Sequence, residues 1–178
     1  MLGAAALSIR AEQAIIRLAQ RYRTNSAVRI LVLGSYDSES KPLLKKFRSR
    51  LRLKPRYTAF LEDEIDLSVS FEETCRTLAR LSTFVVFIVT THGRERGWQV
   101  ELSDLVREDS GCLEKIGFYC ESFRALPSPV RDLLMTHRIY QSDCVYPDDV
   151  SRTIRTLEQN VNTFVLGLSR VHESRTIQ

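Results

Sequence analysis

The fold is decided by residues 84–102, whose sequence is FVVFIVTTHGRERGWQVEL. Residues 84–89 are all apolar, which is typical of a strand that is buried on both faces of a parallel sheet. A polar segment follows, and a helix is predicted to begin near Trp98. A buried strand, a loop and a helix in this order form one unit of an α/β fold.

The same alternation continues in both directions along the chain. Helices are predicted between four further strands, which lie at residues 28–33, 57–61, 115–120 and 138–145. This order predicts an α/β fold, a flavodoxin-like five-stranded parallel sheet with helices on both faces. An additional N-terminal helix is predicted at residues 3–23. The predicted organisation is therefore an N-terminal helix (1–25), an α/β domain (26–170) and a tail (171–178).

Two of the predicted helices begin with residues that can cap backbone N–H groups. Ser40 is expected to cap the helix after the first strand. Ser70 and Glu73 form a capping box at the start of the next helix. That helix is predicted to bury an apolar stripe consisting of Phe71, Cys75, Leu78 and Leu81.

Composition excludes several classes of protein. The 178 residues are 43% hydrophobic and 27% charged, which fits one folded domain. No apolar run approaches the roughly 20 residues of a membrane-spanning helix, and no secretory signal pattern is found, so a cytoplasmic location without membrane attachment is expected. The four cysteines form no C-x-x-C pair and lie at no zinc-site spacing from histidine, so reduced, buried thiols and no metal site are expected.

Charge is unevenly distributed along the chain, although the formal net charge is only +4. Residues 40–56 contain eight basic and no acidic side chains, whereas residues 62–73 contain six acidic and no basic ones. Such runs most often form solvated faces. The alternative hypothesis is that they pair between neighbouring subunits in a head-to-tail assembly. Nucleic-acid binding is not expected, because the sequence provides no aromatic or base-reading partners for the basic run.

Several enzyme fingerprints are missing from the predicted loops. The loop after the first strand matches neither G-x-G-x-x-G nor G-x-x-x-x-G-K-[ST], which argues against a Rossmann dinucleotide site and against a P-loop. The third strand is followed by Thr90 and Thr91, where a phospho-receiver domain has aspartate. The chain also lacks the G-x-S-x-G elbow of serine hydrolases.

The candidate site lies beyond the carboxyl ends of the strands, where open α/β sheets bind their ligands. Trp98 and Glu101 are three residues apart and therefore share one face of their helix. An aromatic plane beside a carboxylate suits a ring-bearing ligand whose reacting centre becomes positively charged. The further candidates, which lie in the loops after the first and third strands, are Ser35, Tyr36, Asp37 and His92.

These residues resemble motifs of TIR (Toll/interleukin-1 receptor-like) domains. In that family the third strand leads into a helix with the pattern Trp-x-x-Glu-Leu, matched here by Trp98, Glu101 and Leu102. The family's first strand leads into Ser-Tyr with a nearby acidic residue, matched here by Ser35, Tyr36 and Asp37. The order of elements fits from about residue 28 to residue 158. The Asp-x-Phe opening, the Arg-Asp…Pro-Gly pattern and the Phe-Trp box are missing, so the chain resembles a divergent, prokaryotic type of TIR domain.

The resemblance implies chemistry on NAD, bound as a substrate and not as a cofactor. Many TIR domains cleave the bond between nicotinamide and ribose, as hydrolases or cyclases, in antiviral defence or cell-death signalling. The resemblance implies that Glu101 is catalytic, and its place in the first helical turn is expected to favour the ionised form. It also implies substrate-binding roles for Trp98, Ser35, Tyr36, Asp37 and His92. Because TIR sites are often completed by a second subunit, a homo-oligomer or an assembly with a second protein is expected.

Two other functions stay open. One is a non-catalytic TIR-like module for protein interaction or nucleotide sensing. The other is an enzyme resembling the nucleoside deoxyribosyltransferases. That family usually shows Asp-x-Gly-Thr-x-x-Glu, where this chain has Gly-Arg-Glu-Arg-Gly at residues 93–97.

Overall fold

A sheet of five parallel strands forms the centre of the computed structural model, which describes residues 3–38, 40–90, 97–108 and 110–176. The strands are Val28–Gly34 (β1), Tyr57–Leu61 (β2), Phe84–Val89 (β3), Ile116–Cys120 (β4) and Tyr140–Asp143 (β5). Across the sheet they follow the order β2–β1–β3–β4–β5, and every neighbouring pair is parallel. The predicted flavodoxin-like α/β architecture is therefore confirmed.

Helices cover both faces of this sheet. Within the described residues the α-helices are Ala4–Tyr22 (α1), Lys41–Arg52 (α2), Phe71–Leu81 (α3), Gly97–Glu108 (α4), Ser110–Leu113 (α5), Ser128–Thr136 (α6) and Val150–Thr176 (α7). Short 3₁₀ turns follow β2 at Glu62–Glu64 and β4 at Phe123–Ala125. The helix α7 includes residues 171–176 of the predicted tail.

Alternate strand residues point to opposite faces and so build two separate apolar cores. In β1, Leu31 and Leu33 contribute to the core under α1, α3, α4 and α6, whereas Ile30 and Val32 contribute to the core under α2 and α7. The strands β2, β3 and β4 are buried at every residue, as their continuous apolar runs predict. The edge strand β5 is exposed at three of its four residues.

The N-terminal helix α1 shares a core with the rest of the domain. Its inner stripe, which includes Leu7, Ala11 and Ile15, is buried in the same cluster as the inner face of α3. The helix packs against α3 and β2. It is therefore an integral layer of the fold, although its outer face leaves Ile9 exposed.

The start of α2 differs from the expectation. Ser40 does not cap the helix with its side chain, because Ser40 already has helical backbone angles. Instead, the Asp37 carboxylate accepts a hydrogen bond from the Ser40 N–H at 2.8 Å, and the Asp37 carbonyl accepts one from the Lys41 N–H at 3.0 Å. The Ser40 hydroxyl is 2.6 Å from the Thr90 hydroxyl, so it links the start of α2 to the end of β3.

The start of α3 confirms one expectation and corrects another. The Ser70 hydroxyl accepts a hydrogen bond from the Glu73 N–H at 3.2 Å, as a cap should. The predicted buried stripe is correct at Cys75 and Leu78. It is wrong at Phe71, which is 42% exposed because it is the first residue of the helix and borders a cavity.

The oppositely charged runs pair within the chain. Lys41 Nζ lies 2.7 Å from Asp63 Oδ2, and the Glu64 carboxylate forms ion pairs with both Arg48 and Arg52. The pairing is possible because β2 follows α2 directly and brings the acidic loop back to that helix. Lys41, Arg48 and Arg52 are therefore paired within the chain, and pairing of the two runs between subunits stays a prediction.

Glu64 tests how much this internal pairing stabilises the fold. Arg52 is only 7% exposed, so Glu64→Gln leaves a buried guanidinium without its carboxylate. We expect this change to lower the free energy of unfolding by about 3 kcal/mol. Glu12→Gln, which removes an exposed pair with Arg29, should cost less than about 1 kcal/mol. If urea denaturation shows the same loss of unfolding free energy in both variants, the ion pairs of Glu64 contribute no more than the exposed pair does.

Candidate active site

A cavity of about 580 Å³ lies at the carboxyl edge of the sheet. The strand order reverses between β1 and β3 at this edge, which is the position where open α/β sheets bind ligands. The lining combines aromatic, basic and acidic side chains, among them Tyr36, Lys41, Glu62, Phe71, Trp98 and Glu101. The volume falls within the roughly 300–1,000 Å³ that is usual for small-molecule sites.

Glu101 lies in the wall of this cavity together with Trp98, as their spacing on α4 predicts. Its side chain is buried, and Oε2 has no hydrogen-bond partner among the residues that the structure describes. Buried polar atoms are normally paired, because an unpaired one loses its hydration without compensation. The Oε2 atom therefore has free hydrogen-bonding capacity that a ligand in the cavity could satisfy.

Trp98 combines a packing contact with its position in the cavity wall. Its ring centroid lies 5.9 Å from that of Phe118 on β4, with the planes tilted by 49°. This contact fixes the first turn of α4 against the sheet. The indole Nε1 finds no hydrogen-bond acceptor within the described part of the chain, so a ligand could also provide one.

The ionisation of Glu101 differs from the expectation. Burial, and then the nearby Glu62 carboxyl, raises the pKa of Glu101 to about 8. Loss of hydration in the interior therefore outweighs the favourable dipole at the start of α4. The expectation that the helix dipole favours the ionised form of Glu101 is therefore corrected: the group is largely protonated at neutral pH.

Glu62 is a second buried carboxyl group in the same cavity, and it was not among the predicted site residues. It follows β2 directly and is buried to the same degree as Glu101. Burial and the Asp63 carboxylate raise the pKa of Glu62 to about 7, although Lys41 opposes the shift. The sequence indicated that the loop after β2 would reach the ligand edge, but nothing in it distinguished Glu62 from the other acids of that loop.

Tyr36 is the residue that the loop after β1 contributes to the cavity. Its hydroxyl donates a hydrogen bond to the Val32 carbonyl at 3.4 Å, and Lys41 Nζ lies 5.5 Å from the centroid of its ring. Burial and the nearby Glu101 and Glu62 carboxyls raise the pKa of Tyr36 well above its usual value. The phenol is therefore a neutral hydrogen-bond donor at physiological pH.

The other predicted site residues are placed differently. Ser35 is almost completely buried, with no hydrogen-bond partner for its hydroxyl in the described residues, but it does not line the cavity. Asp37 holds the start of α2 through the Ser40 N–H. His92 lies outside the residues that the structure describes.

Phe71 is a site residue that the sequence pattern assigned to the core. It borders the main cavity and also an adjoining one of about 220 Å³, which includes Val100 and Leu105 of α4. Because its ring is partly exposed there, it could stack on a planar ligand. The Ser70 cap could have indicated this role, since the first turn of a helix that follows a parallel strand can lie near the ligand edge.

Other kinds of site find no support in the described residues. None of their His, Cys, Asp and Glu side chains form a group of three or more that could hold a metal ion. Nor does any helix there combine the length and apolarity that crossing a bilayer requires. No protein-family model matches the chain, and no curated protein matches it either.

The raised pKa of Glu101 makes the stability of the fold depend on pH. The carboxyl keeps its proton in the folded protein up to about pH 8, whereas in the unfolded chain it ionises near its ordinary value of 4.5. Between these values the unfolded state binds fewer protons, so stability falls as the pH rises. We expect Glu101→Gln to raise the free energy of unfolding by up to about 5 kcal/mol at pH 9, at roughly 1.4 kcal/mol for each pKa unit, and to leave it unchanged at pH 4.

Urea denaturation at both pH values measures this difference. Glu114→Gln is the matched control, since it makes the same chemical change at an exposed position. If Glu101→Gln raises the free energy of unfolding by the same amount at pH 4 and pH 9, the substitution acts through packing and not through ionisation.

Proposed function

We propose that this protein is an NAD-processing enzyme that cleaves the bond between nicotinamide and ribose, with Glu101 as its catalytic carboxylate. The observation that supports this most strongly is the unpaired Glu101 Oε2, buried in the wall of a cavity that also contains Trp98 and Tyr36. Hydrolysis and cyclisation both begin with this cleavage. The resemblance to TIR domains supports the same activity and extends the proposal to antiviral defence or cell-death signalling.

Cleavage of this bond places positive charge on the ribose ring in an oxocarbenium-like transition state. A carboxylate that is fixed beside the ring stabilises that charge. Glu101 is largely protonated before substrate binds, but a positive charge within about 4–6 Å favours the ionised form of a carboxyl group. The cationic nicotinamide ring of NAD would therefore generate the carboxylate that the reaction uses.

The charge of the cavity favours one orientation of NAD. Four carboxyl groups line it, from Glu62, Asp63, Asp66 and Glu101. Asp63 is paired with Lys41, and Glu101 is largely protonated before substrate binds. Asp66 and the partly ionised Glu62 therefore give the cavity its negative charge. A negative cavity attracts the cationic nicotinamide–ribose end and repels the pyrophosphate. In the proposed complex the nicotinamide lies inside the cavity and the pyrophosphate lies at its mouth.

Aromatic and hydroxyl side chains complete the proposed contacts. Phe71 and Trp98 offer apolar surface to the nicotinamide ring. The neutral Tyr36 phenol can accept a hydrogen bond from a ribose hydroxyl, because its own proton is donated to the Val32 carbonyl. His92 is retained as a proposed contact to ribose or phosphate, whereas Ser35 is not, because it does not line the cavity.

Incubation of the purified protein with NAD should release nicotinamide, which chromatography measures. Glu101→Gln keeps the shape of the side chain but cannot become a carboxylate, so release should fall at least about 100-fold, a usual effect of losing one stabilising group. The exposed Glu114→Gln variant should keep the wild-type rate.

Release that persists in Glu101→Gln would remove Glu101 from the catalytic role. Because TIR-type sites often need a second subunit, the assay is repeated at high protein concentration with a crowding agent. A protein that releases no nicotinamide under any of these conditions would instead be a non-catalytic interaction or nucleotide-sensing module.

A further inference from the structure

Glu62 is a buried acid in the cavity for which cleavage of NAD has no direct use. It lies at the carboxyl end of β2 and is 7% exposed, the same as Glu101. The next residue, Asp63, pairs with Lys41 at 2.7 Å, and Glu64 pairs with two arginines. Within the described residues no cation forms a salt bridge with Glu62, so its carboxyl group is free to interact with a ligand.

The surroundings of Glu62 allow it to hold a proton. Asp63 from its own loop places a negative charge beside Glu62, and Lys41 from α2 is occupied by Asp63. Glu101 from α4 is a second carboxyl group that is largely protonated at neutral pH. Burial and the Asp63 charge raise the pKa of Glu62 to about 7. A carboxyl group that is partly protonated at neutral pH and borders a ligand cavity is suited to general acid catalysis.

We propose that Glu62 is a second catalytic carboxyl group that protonates a departing base, so that the same cavity also cleaves the N-ribosidic bond of neutral nucleosides. This inference rests on the proposed function, because the Glu101 carboxylate stabilises the ribose cation in both reactions. With a neutral nucleoside, the reactive form is the one in which the two neighbouring acids together hold a single proton, with that proton on Glu62 and Glu101 ionised. It extends the activity from a leaving group that is already positively charged to leaving groups that need a proton.

Water is the only co-reactant that this hydrolysis requires. As the bond between C1′ and the base nitrogen breaks, its electron pair moves onto the base, which takes the proton of Glu62. Glu101 stabilises the cationic sugar while water adds to C1′. The water molecule gives a proton to the Glu62 carboxylate, which restores the acid, and the products are the free base and the pentose.

The charge of the cavity favours nucleosides over nucleotides as the second kind of substrate. The negative charge of Asp66 and of the partly ionised Glu62 disfavours a phosphate inside the cavity, whereas a nucleoside carries no charge to repel. The partly exposed ring of Phe71 lies in the same lining and offers a face for a purine or pyrimidine base.

Three substrates with different leaving groups test this role. Inosine needs a proton on its base, whereas NAD and 4-nitrophenyl riboside release groups that leave without one. We expect Glu62→Gln to lower kcat/KM for inosine at least about 100-fold and to change kcat/KM for the other two substrates by less than about tenfold. Glu101→Gln should lower kcat/KM for all three substrates.

Glu62→Ala provides a second test of proton donation. Formate in solution should restore inosine cleavage in this variant, because it can occupy the space of the missing carboxyl group and supply the proton. Formate should have no such effect on cleavage of NAD. Thermal denaturation establishes that each variant is folded before it is assayed.

The outcomes separate this inference from the proposed function. The proton-donor role alone would be overturned by either of two results. One is that Glu62→Gln lowers kcat/KM equally for all three substrates, and the other is that the wild-type protein cleaves NAD but not inosine. Cleavage of inosine without cleavage of NAD would overturn the proposed NAD activity and support the role of Glu62. Absence of all three activities would overturn both.

Discussion

The parallel pairing of β1 with β3 is the contact on which both the sheet and the site depend. Gly34, the last residue of β1, pairs with Ile88 and has a φ of +149°. A Cβ atom at this position would lie 1.9 Å from the Ile88 carbonyl oxygen, so only glycine lets the two strands meet at their carboxyl ends. The Tyr36 loop leaves β1 just beyond this contact, and the cavity with Glu101 lies at the same edge of the sheet.

Burial gives the site its chemistry and at the same time costs stability. The two carboxyl groups of Glu62 and Glu101 are hydrated in the unfolded chain, but in the fold they lie in a cavity where neither forms a salt bridge with a described residue. A functional site commonly retains such unfavourable groups, because pairing them would remove the reactivity. The large apolar cores on both faces of the sheet allow the fold to tolerate that loss.

The architecture and part of the site could be predicted because both depend on local periodicity. Continuous apolar runs identified the buried strands, and the three-residue spacing placed Trp98 and Glu101 on one helix face. Glu62 and Phe71 were missed because their roles depend on which distant segments surround them. The protonation of Glu101 was predicted wrongly for the same reason, since the helix dipole is a local property whereas desolvation is set by the tertiary fold.

Helix α1 precedes, in the chain, every element that covers its apolar stripe. The stripe of Leu7, Ala11 and Ile15 is buried with residues of α3 and the sheet, which are encoded after it. During synthesis, this helix therefore leaves the ribosome well before its binding surface exists. Until then its apolar stripe is exposed and can bind chaperones or other apolar surfaces. This exposure ends only when residues up to the end of α3 have emerged and can cover the stripe.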